Sequence, residues 1–106
     1  MTGTDWLKNY PDGGVVRRAY GLAALAHEDG KRLSGEPYIT HPLAVAESVK
    51  DWGLDEASVA AALLHDVAED TAVTLADVKK DFGDEISFLV DGLLPFWVTI
   101  STMSPE

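Results

Sequence analysis

Downstream of residue 15, apolar positions fall at helical spacing. Val16, Tyr20, Ala23 or Ala24 and His27 share one face of a helix running from 15 to about 27, because residues three and four apart lie on the same side of a helix. Gly30 ends it, and the stretch from 30 to 40, with Gly35 and Pro37, reads as a loop. Pro42 suits the start of a second helix, capped by Thr40 or His41, which runs to about residue 52 and stops at Gly53. Asp55 is placed to cap a third, from 56 to about 68. Its Val59, Ala60, Ala62, Leu63 and Val67 make it the most apolar helix in the chain, which puts it at the centre with the others around it. Thr74 and Asp77 have the spacing of a capping box and open a helix that ends at Gly83. Asp84 opens a last one through Ile86, Leu89 and Val90. Upstream, Thr4 suits the cap of a short turn, and Pro11-Asp12-Gly13-Gly14 is a loop signal. No segment alternates with a period of two. The expected fold is all-α, a compact bundle of about five helices. The segment 94 to 106 has β-branched residues, two prolines and no helical period, and receives no role in that bundle.

Composition narrows the class. The 106 residues make one domain at most, and 46% of them are apolar, enough for a core. Eight basic against 18 acidic residues leave a net charge of −10, which argues against a nucleic-acid or anionic-lipid partner. A small anionic ligand remains compatible, since a metal ion and one or two cations can dominate a pocket. The absence of cysteine excludes disulfides and thiolate metal sites. Neither a signal peptide nor a membrane span is recognised, and a cytoplasmic protein is expected.

Chemistry concentrates in Leu63-Leu64-His65-Asp66-Val67-Ala68-Glu69-Asp70-Thr71. If the third helix continues through this run, His65 with Glu69, Asp66 with Glu69 and Asp66 with Asp70 each share a face. One imidazole and three carboxylates at the end of a core helix are costly without a cation among them. Imidazole and carboxylate donors suit manganese, iron, zinc or nickel. The plainer reading is a solvated helix end beside a packed core histidine, against which stands the poor fit of carboxylates to the negative end of the helix dipole. His41, at the mouth of the second helix, is a further candidate ligand or a simple cap. His27, on an apolar face, reads as a packed core histidine. In the loop, Lys31-Arg32 is either a solvated pair at a helix end or a site where arginine stacks on a base or grips phosphate, and Tyr38 is either an aromatic wall or packing.

Two runs together resemble the hydrolase domain of RelA/SpoT-type enzymes, which degrade the alarmones ppGpp and pppGpp. The first is Arg32-Leu33-Ser34-Gly35-Glu36-Pro37-Tyr38-Ile39-Thr40-His41-Pro42. The second is Ala61-Ala62-Leu63-Leu64-His65-Asp66-Val67-Ala68-Glu69-Asp70-Thr71, followed by Phe82-Gly83 and Leu89-Val90-Asp91-Gly92. The resemblance implies an HD-type phosphohydrolase bundle with a manganese ion, His41, His65 and Asp66 matching three of its protein ligands. It implies that Glu69 and Asp70 position and activate the attacking water, that Arg32 packs against guanine and that Ser34 belongs to the same nucleotide loop. The implied activity is guanosine 3′,5′-bis(diphosphate) 3′-pyrophosphohydrolase, yielding GDP or GTP and pyrophosphate.

The chain also departs from the family. Asp29-Gly30 stands where the family has Gly-Gln, Leu33 where a second cation is common, and Leu93-Leu94-Pro95 where the family continues Val-Thr-Lys into further helices. The family's fourth ligand, an aspartate on one of those helices, has no counterpart. The expected organisation is therefore the N-terminal portion of a hydrolase domain over 1–93 and a divergent tail over 94–106, as from a truncated or frame-shifted reading frame. Impaired hydrolysis, exposed apolar surface on the helix from 56 to 68 and self-association through it are the corresponding expectations. The rival readings are a catalytically inactive remnant or regulatory nucleotide-binding module, and an HD phosphohydrolase acting on another nucleotide.

Arg32→Ala tests the loop. Binding of ppGpp should weaken while stability changes by no more than about 0.5 kcal/mol, as for a surface side chain. Unchanged binding or a large shift in melting temperature would count against the assignment.

Overall fold

The computed structural model describes residues 5–27, 39–65, 67 and 73–92, and these form an all-α bundle. A short 3-10 helix, Asp5–Asn9, precedes five α-helices among the described residues. They are α1 (Val15–Ala26), α2 (Thr40–Asp51), α3 (Glu56–Leu64), α4 (Leu75–Phe82) and α5 (Asp84–Gly92). None is long and apolar enough to cross a membrane.

Local chemistry accounts for most of the helix ends. Asp55 caps α3, its carboxylate accepting from Ser58 N–H at 2.9 Å. Thr74 and Asp77 form the full capping box of α4: Thr74 Oγ1 accepts from Asp77 N–H at 3.2 Å, and the Asp77 carboxylate accepts from Thr74 N–H at 3.0 Å. At the end of α2, Gly53 takes φ +80, with Gly53 N–H donating to Lys50 O at 2.9 Å and Leu54 N–H to Val49 O at 3.4 Å. That pair of bonds is a Schellman closure, which needs a left-handed residue at this position. Gly83, at φ +94, closes α4 through a bond to Lys79 O and accepts the first bond of α5, from Ser87 N–H.

The start of α2 differs from expectation. Neither Thr40 nor His41 is its cap; Ile39 holds that position, already helical at φ −58 and ψ −22 and without a side-chain cap bond. Pro42 then falls at the third helical position. Its missing N–H is among the four that no helix can pair internally, so the helix winds back past His41 without losing a bond.

Helix α3 is the centre. Residues 59 to 64 have no exposure at all, nor has Val67. α1, α2 and α5 pack against α3, and α4 packs against α5. α1 contributes Val16, Ala19 and Ala23, with Tyr20 only half-buried. α2 contributes Pro42, Leu43, Val45, Ala46 and Val49, and α5 contributes Ile86 and Val90. The apolar surface expected to be exposed on this helix is buried at residues 59–64 and at Val67, where three helices pack against α3. Among the described residues, the large apolar side chains that meet solvent are Leu25, Trp52, Leu54 and Phe88, on other elements. Side chains tie the periphery down. Arg18 donates to Asp81 O at 2.6 Å and lies 5.0 Å from the Phe82 ring, fastening α1 to the end of α4. Lys50 sits 5.8 Å from the ring of buried Trp6, linking α2 to the N-terminal turn. The tail from 94 to 106 and the boundary at 93 lie outside the described residues.

Regular α3 also stops earlier than about 68. It ends at Leu64, and His65 N–H reaches back only three residues, to Ala62 O at 3.5 Å. Val67 is helical again.

The Asp55 cap makes a pH-dependent prediction. Hydrogen bonds from the Ser58 side chain and then its backbone N–H hold the Asp55 carboxyl below its ordinary 3.8. A folded-state value lowered in this way stabilises the protein above the unfolded value, and the contribution is lost as pH falls through the folded one. Asp55→Ala should cost about 1 kcal/mol at neutral pH in urea unfolding. The gap from wild type should close on acidification below pH 3.8. A gap independent of pH would show that the carboxylate is not the stabilising group.

Candidate functional site

His65 stands at the C-cap position of α3, in right-handed helical geometry. It is 4% exposed, so its orientation is set by the protein interior. Its Nδ1 lies 2.5 Å from the Ala62 carbonyl oxygen, the same oxygen that accepts from its backbone N–H. A carbonyl can only accept, so Nδ1 is the donor and carries the ring hydrogen. In the neutral ring the lone pair is then on Nε2, a buried atom. Bonds of this kind, from the ring nitrogen that faces away from the metal to a backbone carbonyl, orient histidines that bind metals.

His41 arrives from a different element, in the first turn of α2, and is half-buried. Its ring meets that of His65 edge to face, centroids 5.5 Å apart and planes at 62°. Residues 24 positions apart in the chain thus converge because α2 packs along α3. An imidazole pair with one lone pair fixed by its hydrogen bond is a donor set suited to a borderline divalent ion and compatible with the manganese expected.

Of the other residues expected here, Asp66, Glu69, Asp70, Arg32 and Ser34 lie outside the described residues. Among the described residues no group of three or more His, Asp or Glu side chains is gathered as a metal cluster. His27 is buried at the end of α1, its backbone N–H on Ala23 O, in keeping with a packed core histidine. Pattern reading missed the Ala62 carbonyl, which contributes a backbone atom and leaves no side-chain signature. The one available signal is its place three residues before a histidine at a helix end.

Residues 19–102 match the HD domain family, and the chain belongs to it. Its relatives are of the RelA/SpoT type. It is 50% identical over 78 residues to a Streptomyces coelicolor protein named GTP pyrophosphokinase, covering 74% of this chain and 9% of that protein. It is 45% identical over 83 residues to a GTP pyrophosphokinase of Myxococcus xanthus, covering 78% of this chain and 11% of the other. It is 43% identical over 88 residues to the guanosine-3′,5′-bis(diphosphate) 3′-pyrophosphohydrolase of Aquifex aeolicus, covering 82% and 13%. The chain therefore spans about a tenth of the length of these relatives.

The His65 geometry is testable without any ligand. Nitrogen-15 NMR of the neutral ring should report a protonated Nδ1 and an unprotonated Nε2, and the reverse tautomer would remove the basis for Nε2 as a donor.

Proposed function

We propose that this chain carries a metal-dependent 3′-pyrophosphohydrolase site for guanosine 3′,5′-bis(diphosphate) and its pentaphosphate analogue. The observation that carries the reading is the meeting of His41 and His65, with the His65 lone pair directed onto Nε2 by the Ala62 carbonyl. It is supported by 43% identity to a protein whose name states that activity. His41, His65 and Asp66 are the residues that would hold a divalent ion, manganese first, with iron, zinc or nickel as the other chemically suitable ions. When bound, such an ion supplies polarisation of a phosphoryl oxygen and makes water more acidic.

The chain's own groups do the rest. Glu69 or Asp70 orients the attacking water and takes its proton. The water oxygen joins the phosphorus attached to the 3′ oxygen, that bond breaks, and the 3′ oxygen leaves with a proton. The products are GDP or GTP and pyrophosphate. Arg32 packs against the guanine, its planar cation suited to stacking, and Ser34 lines the same loop. A cytoplasmic setting belongs to the same reading.

Other relatives bear the name of the opposite transfer, pyrophosphate to GTP, but this chain covers only 9% to 11% of them. Imidazole and carboxylate groups that bind metal and move a proton from water favour hydrolysis as this segment's share.

The test is pyrophosphate release from ppGpp with added manganese, alongside calorimetric titration of manganese. Wild type should release pyrophosphate and stop on chelation. His65→Ala should lose release and bind manganese at least about 10- to 100-fold more weakly, the range seen when the support of a ligand is removed. Equal affinity in the two proteins would sink the metal assignment. Nucleotide binding with no turnover would assign the chain a regulatory role instead.

A further inference from the structure

We propose that Trp52 and Leu54, at the turn between α2 and α3, form a docking surface for a basic segment of another protein. The turn lies at the end of α2 away from His41, about 16 Å along the helix at 1.5 Å per residue.

Six consecutive residues, Asp51-Trp52-Gly53-Leu54-Asp55-Glu56, are all exposed. They include two of the large apolar side chains that meet solvent among the described residues, Trp52 at 51% and Leu54 at 42%. The others, Leu25 and Phe88, stand on α1 and α5. The closure of α2 uses the positive φ of Gly53 and the amides of Gly53 and Leu54. It makes no demand on the side chain before Gly53, so the turn does not account for so large a ring left half in water. The turn is also held on both sides. The Schellman bonds end α2, and the Asp55 carboxylate, accepting from Ser58 N–H, opens α3. An aromatic side chain on a fixed turn loses little freedom on association, and tryptophan is among the residues that dominate interface energies.

Charge selects the occupant. Asp51, Asp55 and Glu56 flank the apolar pair, and Glu47 lies one turn before Asp51 on the same face of α2. Between 47 and 56 the one cation is Lys50, 2.9 Å from the Asp51 carboxylate and 5.8 Å from the Trp6 ring. An acidic rim disfavours nucleic acid and anionic lipid. It equally disfavours a second copy of this chain, which has a net charge of −10 and carries the same rim. Lysine and arginine are attracted, and arginine also gains by standing over a tryptophan face. These 106 residues hold no such segment: basic residues are never more than two in a row, at 17–18, 31–32 and 79–80. The occupant is therefore a segment of another protein that carries several cations and an aliphatic side chain.

The probe is a capped synthetic peptide of arginine and leucine, with a version carrying glutamate for arginine as its reference. In nitrogen-15 NMR of the full chain, the Trp52 indole N–H should shift on titration while that of buried Trp6 stays in place. Trp52→Ala and Trp52→Gln should keep the melting temperature and bind the peptide about 10-fold or more weakly. Phe88→Ala, which removes an exposed ring elsewhere, should bind as wild type. The pair Asp51→Asn with Glu56→Gln should weaken binding, whereas Asp84→Asn with Glu85→Gln, equal in charge but on α5, should not. Wild-type affinity in both Trp52 variants would overturn the proposal. Equal losses in the α5 pair or in Phe88→Ala would do the same, by showing diffuse attraction to an acidic protein, as would equal binding of the glutamate peptide. A Trp52 shift caused by phosphatidylcholine vesicles or by raising the protein concentration, with none caused by the arginine peptide, would give the surface to a membrane or to a second copy and overturn it too.

Discussion

From Val59 to Leu64 helix α3 has no solvent-facing side, and α1, α2 and α5 are arranged to keep it that way. Val59, Leu63 and Leu64, with Val67 just beyond the end of the helix, are all without exposure. Each such side chain contributes about 1.5–3 kcal/mol on leaving water, against a net stability of about 5–15 kcal/mol for a typical domain. Four of them therefore match a large part of the total, and no arrangement that leaves one face of α3 open is competitive. The consequence is a fixed centre with α1, α2 and α5 held against it. A polar group at the end of such a helix is held as firmly as the core itself.

That constraint connects packing to chemistry. His65 follows directly on Leu64, so the burial that anchors α3 also anchors the imidazole. The bond from Nδ1 to Ala62 O satisfies one ring nitrogen inside the helix and commits the other. In a buried setting an uncommitted nitrogen would be expensive, so the tautomer is a property of the fold. His41 reaches the same place by a different route. It belongs to a helix that packs on α3 through Val45, Ala46, Val49 and neighbouring core residues. The approach of the two rings therefore depends on how α2 lies along α3 as well as on the local turn.

Features determined within one turn were legible in the sequence. Asp55, Thr74 with Asp77, Gly53 and Gly83 all mark helix ends where their residue types suggested, because a cap needs only a side chain and a nearby N–H, and a left-handed closure needs only a missing Cβ. The apolar run from 59 to 67 disclosed the central helix for an equally direct reason, since a helix apolar on most sides must be enclosed. Other features depended on competition between bonds. Pro42 was read as the first helical residue on propensity, whereas the backbone had already entered the helix at Ile39. The regular span of the third helix ends at Leu64, beside a ring that takes its own helix's carbonyl, a bond that periodicity does not register, and the acidic run itself lies outside the described residues. Nor could spacing alone bring His41 beside His65. The likeness of the two motifs to a family suggested that meeting, and the packing of α2 on α3 provides it for these two residues.

The shared Ala62 acceptor gives the site its economy. A helix that ended by ordinary fraying would present several unpaired carbonyls, and a histidine there would sample many rotamers. Here one carbonyl, Ala62 O, accepts both from the backbone N–H of His65 and from its ring. The imidazole is thus aimed by the acceptor that also takes the backbone N–H of its own residue. Conformational order at the donor atom thus comes with the folding of α3 and does not have to be established when a ligand arrives. Preorganisation of this kind lowers the ordering cost that association would otherwise carry. It also implies that changes deep in α3, far from any ligand, will be felt at His65, because a shift of the Ala62 backbone moves the atom that holds the ring.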